Sequence, residues 1–218
     1  MSQSTFPFKL FIFDFDGTLY DNLERSWIRT MKEIAKQIGT SFSKRKTQGL
    51  FGKSAKIWIR NLFPRGKQKK ALELFFGKER KVFLSGFKLF PDTKSLLRYL
   101  RKKGIKIAVA TGLDRDALNI IFRKDKIGKF FDLAITAEEI KKEKPNPDIL
   151  FRILEKFKIK RREAIFVGDS LLDIKTAKNA KIKVAIISRG AITDPKLAFE
   201  SGADYVFINF SEFLDLTK

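Results

Sequence analysis

The chain contains neither cysteine nor histidine. Without cysteine there is no disulfide framework and no thiol chemistry. Without histidine, the commonest metal ligand and the only side chain that titrates unaided near neutral pH are both missing. Ser-His-Asp hydrolysis and histidine-based zinc sites are therefore excluded. Any catalysis has to run on carboxylates, hydroxyls, lysines, backbone groups and hard metal ions. Long apolar runs are missing too: none approaches the roughly 20 residues of a membrane helix. The apolar stretch at 6–15 is interrupted by Asp14 and lacks the basic start and cleavage site of a signal peptide. The expectation is a cytoplasmic protein without a membrane partner.

What is present in excess is positive charge and phenylalanine. The 218 residues include 46 Lys and Arg against 25 Asp and Glu, a formal net charge of +21, and 23 Phe. A chain of this length with 44% hydrophobic residues can bury one good core, or one core and a small insertion. The charge is uneven. Residues 21–88 hold 18 basic and 5 acidic residues, whereas the rest holds 28 and 20. A codon bias would act on both segments alike. The asymmetry points instead to anions: phosphates, nucleic acid or anionic lipid.

Six apolar runs read as strands: 8–13, 105–110, 132–136, 164–167, 183–187 and 204–208. Near-continuous apolar runs of this length suggest strands covered on both faces. Amphipathic helices are expected between them at 92–103, 114–125, 146–157, 173–181 and 195–202. Alternating strands and helices predict an α/β fold with a doubly wound, parallel, Rossmann-like sheet. Residues 21–88 break the alternation. No strand is evident there, and 22–38, 43–51, 54–63 and 67–84 read as helices. The expected organisation is a core of residues 1–20 and 87–218, with a helical cap of residues 21–86 inserted between the first and second core strands.

Open α/β sheets bind ligands at the carboxyl ends of their strands. Three of these strands end in Asp14, Thr111 and Asp169. Asp14 and Asp16 stand two residues apart before Gly17; Asp169 and Asp173 stand four apart at a strand end and helix start. Four acids converging in one cleft would repel one another. A divalent cation relieves that repulsion, and an all-oxygen donor set selects Mg²⁺. With Mg²⁺ and Lys144 both present, the natural substrate is a phosphate. Asp21, Asn22 and Asp92 read as helix caps, and Trp27, Trp58 and the many Phe as core filling.

Four segments, in order, carry a resemblance to a known family. They are Asp14-Phe15-Asp16-Gly17-Thr18-Leu19, Thr111-Gly112, Lys144-Pro145-Asn146-Pro147-Asp148 and Gly168-Asp169-Ser170-Leu171-Leu172-Asp173. The chain resembles the haloacid dehalogenase-like phosphatases, nearest the phosphoglycolate phosphatase-like group. The resemblance implies that Asp14 attacks phosphorus and Asp16 serves as general acid and then base. It further implies that Mg²⁺ is held by Asp14, the Asp16 carbonyl, Asp169 and Asp173, while Thr111, Gly112 and Lys144 bind the phosphoryl group. Asp16 argues against dehalogenation. The missing histidine argues against a mutase of the β-phosphoglucomutase kind.

The expected activity is therefore hydrolysis of a small phosphate monoester through an aspartyl-phosphate. The cap's charge suggests substrates with a second anionic group, phosphoglycolate among them, contacted by Lys53, Lys56 and Arg60. Two other readings stand beside it: a pyrophosphatase or a phosphatase of nucleic-acid ends, and a non-catalytic basic binding module on the same scaffold.

Overall fold

The computed structural model describes residues 8–47, 49–191 and 194–215. The chain opens with β1 (Leu10–Phe13), whose four residues are all buried. Phe11 and Phe13 pack into one hydrophobic cluster, Leu10 and Ile12 into another. A strand whose alternate residues enter different clusters has to be covered on both faces, as its unbroken apolar run suggested. A tight turn then leads into β2 (Tyr20–Asp21).

A helical segment follows. It comprises a π-type turn over Leu23–Ile28, α1 (Arg29–Gln37), α2 (Ala55–Leu62), α3 (Arg65–Phe76) and α4 (Arg80–Ser85). The helix read over 67–84 is broken at Gly77. A Cβ there would lie 2.7 Å from the Glu73 carbonyl oxygen. The helix read over 43–51 is reduced to a short 3₁₀ turn, Lys44–Thr47; Gln48 lies outside the described residues. The chain returns through β3 (Lys88–Leu89), which pairs antiparallel with β2. This two-stranded ribbon was not foreseen in the sequence, because two-residue strands carry no periodicity.

The alternation then resumes with α5 (Thr93–Lys102), β4 (Lys106–Thr111), α6 (Arg115–Asp125), β5 (Leu133–Thr136) and α7 (Asp148–Phe157). It continues with β6 (Ala164–Gly168), α8 (Leu171–Ala180), β7 (Lys183–Ile187), α9 (Pro195–Glu200), β8 (Tyr205–Phe207) and α10 (Phe210–Asp215). All six core strands fall within two residues of their expected bounds, in a parallel sheet of order β5-β4-β1-β6-β7-β8. The chain builds outward from β1 in one direction, then restarts at β6 on its other side. The crevice at that switch point, beyond the carboxyl ends of β1 and β6, is where such sheets bind ligands.

One hydrophobic cluster joins Phe11, Phe13 and Ile165 of the sheet to Trp27, Met31, Trp58 and Phe75 of the helical segment. No helix among the described residues is long and apolar enough to cross a membrane.

Candidate active site

The register places the strand ends together. Phe13 pairs with Val109 on one side and Val167 on the other. Asp14 thus leaves β1 within two residues of where Thr111 ends β4 and Asp169 follows β6. Its N–H still donates to the Val167 carbonyl at 2.8 Å, which anchors the residue at the sheet's rim. Asp173 joins them from the first turn of α8. Ser170 caps that helix by accepting from the Asp173 N–H, so α8 starts two residues before its expected position.

Carboxylate oxygens of Asp14, Asp169 and Asp173 lie within 4.8 Å of one another, and all three residues are buried. Lys144 reaches into the cluster from the loop before α7. Its Nζ donates to Asp14 Oδ1 at 2.6 Å and Asp173 Oδ1 at 2.9 Å. Thr18 Oγ1 and the Ala191 N–H hold Asp169 at 3.0 and 2.7 Å. Ser170 Oγ holds Asp173 at 2.6 Å. Asp14 Oδ2, by contrast, is buried without a hydrogen-bond partner. Leaving such an atom unpaired costs about 1–3 kcal/mol or more for a charged group.

The electrostatics carry the same message. Burial pushes the Asp14 carboxyl up to about 7, with Lys144 pulling down and Asp173 pushing up. Burial, then Asp173 and Asp14, hold Asp169 well above the ordinary carboxylate value. Lys144 is held above its ordinary value, because its two carboxylate partners outweigh the opposing effect of burial. Three buried acids with one lysine are short of positive charge. An all-oxygen cluster with an orphaned oxygen fits a divalent metal ion.

Asp16 faces elsewhere. Asn22 Nδ2 donates to its Oδ1 at 2.6 Å and Trp27 Nε1 to its Oδ2 at 3.3 Å. Burial, and next the charge of Asp14, push its carboxyl up to about 8 against those two donors. Asn22 was read as a helix cap but makes no side-chain cap and donates to Asp16 instead; Trp27 is core, as read, and its indole N–H reaches Asp16 as well. Asp92 likewise makes no side-chain cap on α5. It accepts from Arg189 and from the Phe210 N–H.

Glycines make these approaches possible. Gly17 has φ +88°, and a Cβ on it would lie 2.3 Å from Asp169 Oδ2; a Cβ on Gly190 would lie 2.1 Å away. Gly112 is pressed by the helical segment, so that a Cβ would meet the Gly52 carbonyl oxygen at 2.5 Å. The Thr111 hydroxyl accepts from the Leu113 N–H at 3.1 Å.

The three expected basic contacts are placed differently from one another. Lys53 donates to the Lys144 backbone carbonyl. Lys56 lines a cavity of about 260 Å³ on the other side of Gly112. Arg60 is exposed and lines neither that cavity nor a second one, of about 140 Å³, that Asp16, Trp27, Phe51 and Arg189 help to enclose.

The chain is similar to known proteins in sequence and fold. The phosphorylated carbohydrates phosphatase of Thermotoga maritima is 26% identical over 95% of this chain and 97% of its own. The phosphoglycolate phosphatase of Photorhabdus laumondii is 25% identical over 93% and 89%. The solved structure of a haloacid dehalogenase-like family hydrolase from Streptococcus pneumoniae shares the fold, with a TM-score of 0.83, 19% identity and coverage of 97% of this chain and 99% of that one. The sequence profile described as "Haloacid dehalogenase-like hydrolase" matches residues 11–187, from β1 to the end of β7, and the chain belongs to that family.

Proposed function

We propose that this protein is a Mg²⁺-dependent phosphatase that hydrolyses small phosphate monoesters through an aspartyl-phosphate on Asp14. The observation that carries this reading is the division of labour between two neighbouring carboxyls. Asp14 lies in the charged cluster with one oxygen on Lys144 and the other free. Asp16, two residues on, lies outside the cluster with its proton retained by burial. A nucleophile and a general acid need opposite protonation states; Lys144 and a bound cation would favour ionised Asp14, while burial and the charge of Asp14 favour the acid form of Asp16.

In the first step Asp14 Oδ2 bonds to phosphorus while the ester oxygen leaves and takes the Asp16 proton. In the second, Asp16, now a carboxylate, accepts a proton from water as the water oxygen attacks phosphorus. Orthophosphate leaves and the Asp14 carboxylate is restored. Lys144 offsets the charge on the nucleophile and the phosphoryl oxygens, and the Thr111 hydroxyl and Gly112 N–H bind those oxygens. Mg²⁺, held by Asp14, Asp169, Asp173 and the Asp16 carbonyl, would keep Asp14 ionised and neutralise phosphoryl charge.

Residues 21–86 act in this reading as a cap on the core of residues 1–20 and 87–218. The hinge ribbon at Tyr20–Asp21 and Lys88–Leu89 supports those bounds. The closed seam between Gly52 and Gly112 favours small substrates over nucleic-acid ends. So does the burial of Trp27 and Trp58, whose rings stack on each other at 4.8 Å and present no free face to a base. The two curated relatives are named for different substrates and stand equally far from this chain, so identity does not choose between them.

The test is turnover of an aryl phosphate in Mg²⁺ and in excess chelator, with acid-quenched enzyme analysed for phosphate on Asp14. Hydrolysis that persists in chelator, or an enzyme that never carries phosphate during turnover, would sink the mechanism.

A further inference from the structure

Lys144 meets the carboxylate cluster from the loop before α7, not from a helix or strand. A side chain on a loop is placed less exactly than one on a regular element unless its backbone is anchored. Three successive carbonyls supply the anchors. Glu143 O accepts from the Asn146 N–H at 3.1 Å, and Pro145 O accepts from Asn179 Nδ2 of α8 at 2.8 Å. Between them, Lys144 O accepts from the Lys53 ammonium of the helical segment. The core thus holds the loop on either side of the lysine, and the helical segment holds it at the lysine itself.

A second contact joins the same two stretches. Ser54 stands at the N-cap of α2, where a serine ordinarily turns its hydroxyl onto its own helix. That bond is absent. The Ser54 hydroxyl donates instead to Glu143 Oε1 at 2.7 Å, and the Ser54 N–H to Oε2 at 3.1 Å. One residue of the segment therefore takes both oxygens of a half-buried core carboxylate, at the positive end of α2. Lys53 enters this seam against burial, which pulls its ammonium below the ordinary value while Glu143 pushes it back up. The stretch also presses on the second phosphoryl loop: a Cβ on Gly112 would lie 2.8 Å from the Lys53 carbonyl oxygen.

Resting on the phosphatase reading above, we propose that Glu143, Ser54 and Lys53 are positioning residues, through which the docked helical segment holds Lys144 against the phosphoryl group. None of the three has to touch substrate. Lys53, expected from the sequence to contact the substrate, acts through the Lys144 backbone instead. If the segment lifts, Glu143 and the Lys144 carbonyl lose their partners together, so the lysine is fully set only over a closed site.

The experiment measures two quantities in Mg²⁺: orthophosphate affinity, by phosphorus NMR titration, and kcat on phenyl phosphate. Orthophosphate has no leaving group, so it reports the phosphoryl site without a tail that reaches the helical segment. Glu143→Ala should weaken orthophosphate by roughly tenfold, the worth of one charged hydrogen bond. It should lower kcat by roughly tenfold to a hundredfold, the cost of misplacing a catalytic group by about 1 Å. Glu143→Gln keeps an acceptor for Ser54 and should recover most of both. Ser54→Ala and Lys53→Met cut the contact from its other side, and each should move both quantities the same way by about threefold. In Lys144→Met, adding Glu143→Ala should change orthophosphate affinity by less than about twofold, because the lysine that Glu143 positions is gone. An equal loss in that background overturns the proposal alone, as does a folded Glu143→Ala with both quantities within about twofold of the parent. If Glu143→Ala does not fold, unchanged Ser54→Ala and Lys53→Met overturn it. A parent that binds orthophosphate but turns over no ester overturns the phosphatase reading, and the binding measurements still decide the positioning. A parent that binds no orthophosphate overturns both.

Discussion

Gly190→Ala probes the candidate metal cluster, because the three atoms nearest the added methyl all belong to the Asp169 side chain. A Cβ at this position would lie 2.1 Å from Asp169 Oδ2 and 2.5 Å from its Cγ. Ordinary contact between heavy atoms is about 3.5 Å, so the carboxylate has to retreat by roughly 1–1.5 Å. The same Oδ2 accepts from the Ala191 N–H at 2.7 Å, and that bond cannot survive such a movement. A hydrogen bond to a charged group is worth about 1.5–3 kcal/mol. Mg²⁺ affinity should fall by roughly tenfold to a hundredfold, the range seen when the supports of metal ligands are removed. Calorimetric titration of Mg²⁺ and the Mg²⁺ dependence of aryl phosphate hydrolysis should report the same shift. Gly39→Ala is the control. Gly39 also has positive φ, +62°, but nothing lies within 4 Å of its Cβ position. It should cost stability of about 1–2 kcal/mol and leave Mg²⁺ affinity unchanged. If folded Gly190→Ala bound Mg²⁺ within about twofold of the parent, where a one-bond loss demands tenfold, the placement of Asp169 in the metal site would be wrong.

Asp14→Asn should abolish aryl phosphate turnover with an unchanged circular dichroism spectrum; retained turnover would exclude the covalent route. Lys144→Met leaves buried Asp14 and Asp173 without their cation. In chelator it should lose about 3 kcal/mol of stability by urea denaturation, part of which Mg²⁺ restores; equal stability in chelator would mean the lysine is dispensable to the cluster. Asp114 joins the N-terminus of α6 to Arg80 of α4. Burial pushes its carboxyl up, but Arg80 and the Ala117 N–H outweigh it and hold it below the usual 3.8. A carboxyl depressed on folding stabilises the protein above its unfolded value near 4, and that stability is lost as pH falls through the folded value. Asp114→Asn should therefore be less stable than the parent at pH 7 and converge with it below pH ~3; a constant gap across that range would refute the linkage.

The core was legible because a parallel sheet writes itself twice into the sequence. Each strand must be apolar on both faces, and its carboxyl end is where polarity returns. Asp14, Thr111 and Asp169 stand out for that reason, and their convergence follows from the β1–β4 and β1–β6 registers. The chain end of the fold was less legible. Helix α10 has no strong pattern of its own, and its place is set by tertiary contacts. Phe210 and Phe213 pack edge-on against Phe13 and Phe11, and the Phe210 N–H meets Asp92. The αL residue Lys181, with φ 57°, stands where glycine would cost less; the helix turn closes there regardless, its N–H donating back to Lys178.

Charge was the feature most open to misreading, because a count carries no direction. In α1 and α3 the buried residues are Thr30, Met31, Ile34, Ala35, Ala71 and Phe75, while Lys32, Lys36, Lys69 and Lys70 are exposed. That is the ordinary consequence of an amphipathic helix with one face against a core. A cation on the far face of a helix acts on a substrate only across solvent, where salt screens it within about 10 Å. A cation in the cavity acts by contact. The first kind contributes most of the net charge in this segment, and none of the segment's described cations lines the cavity beside Asp16, where the cation is Arg189 of the core. Conversely, Asn22 and Trp27 look unremarkable in the sequence, as a helix start and an aromatic, yet both donate to the Asp16 carboxyl. Their role depends on the hinge ribbon bringing the start of the helical segment back over β1, and a two-residue pairing leaves no periodic trace. Residue type announced the acids of the core; the helical segment's contacts with Asp16 came from topology, which is why they became visible only in three dimensions.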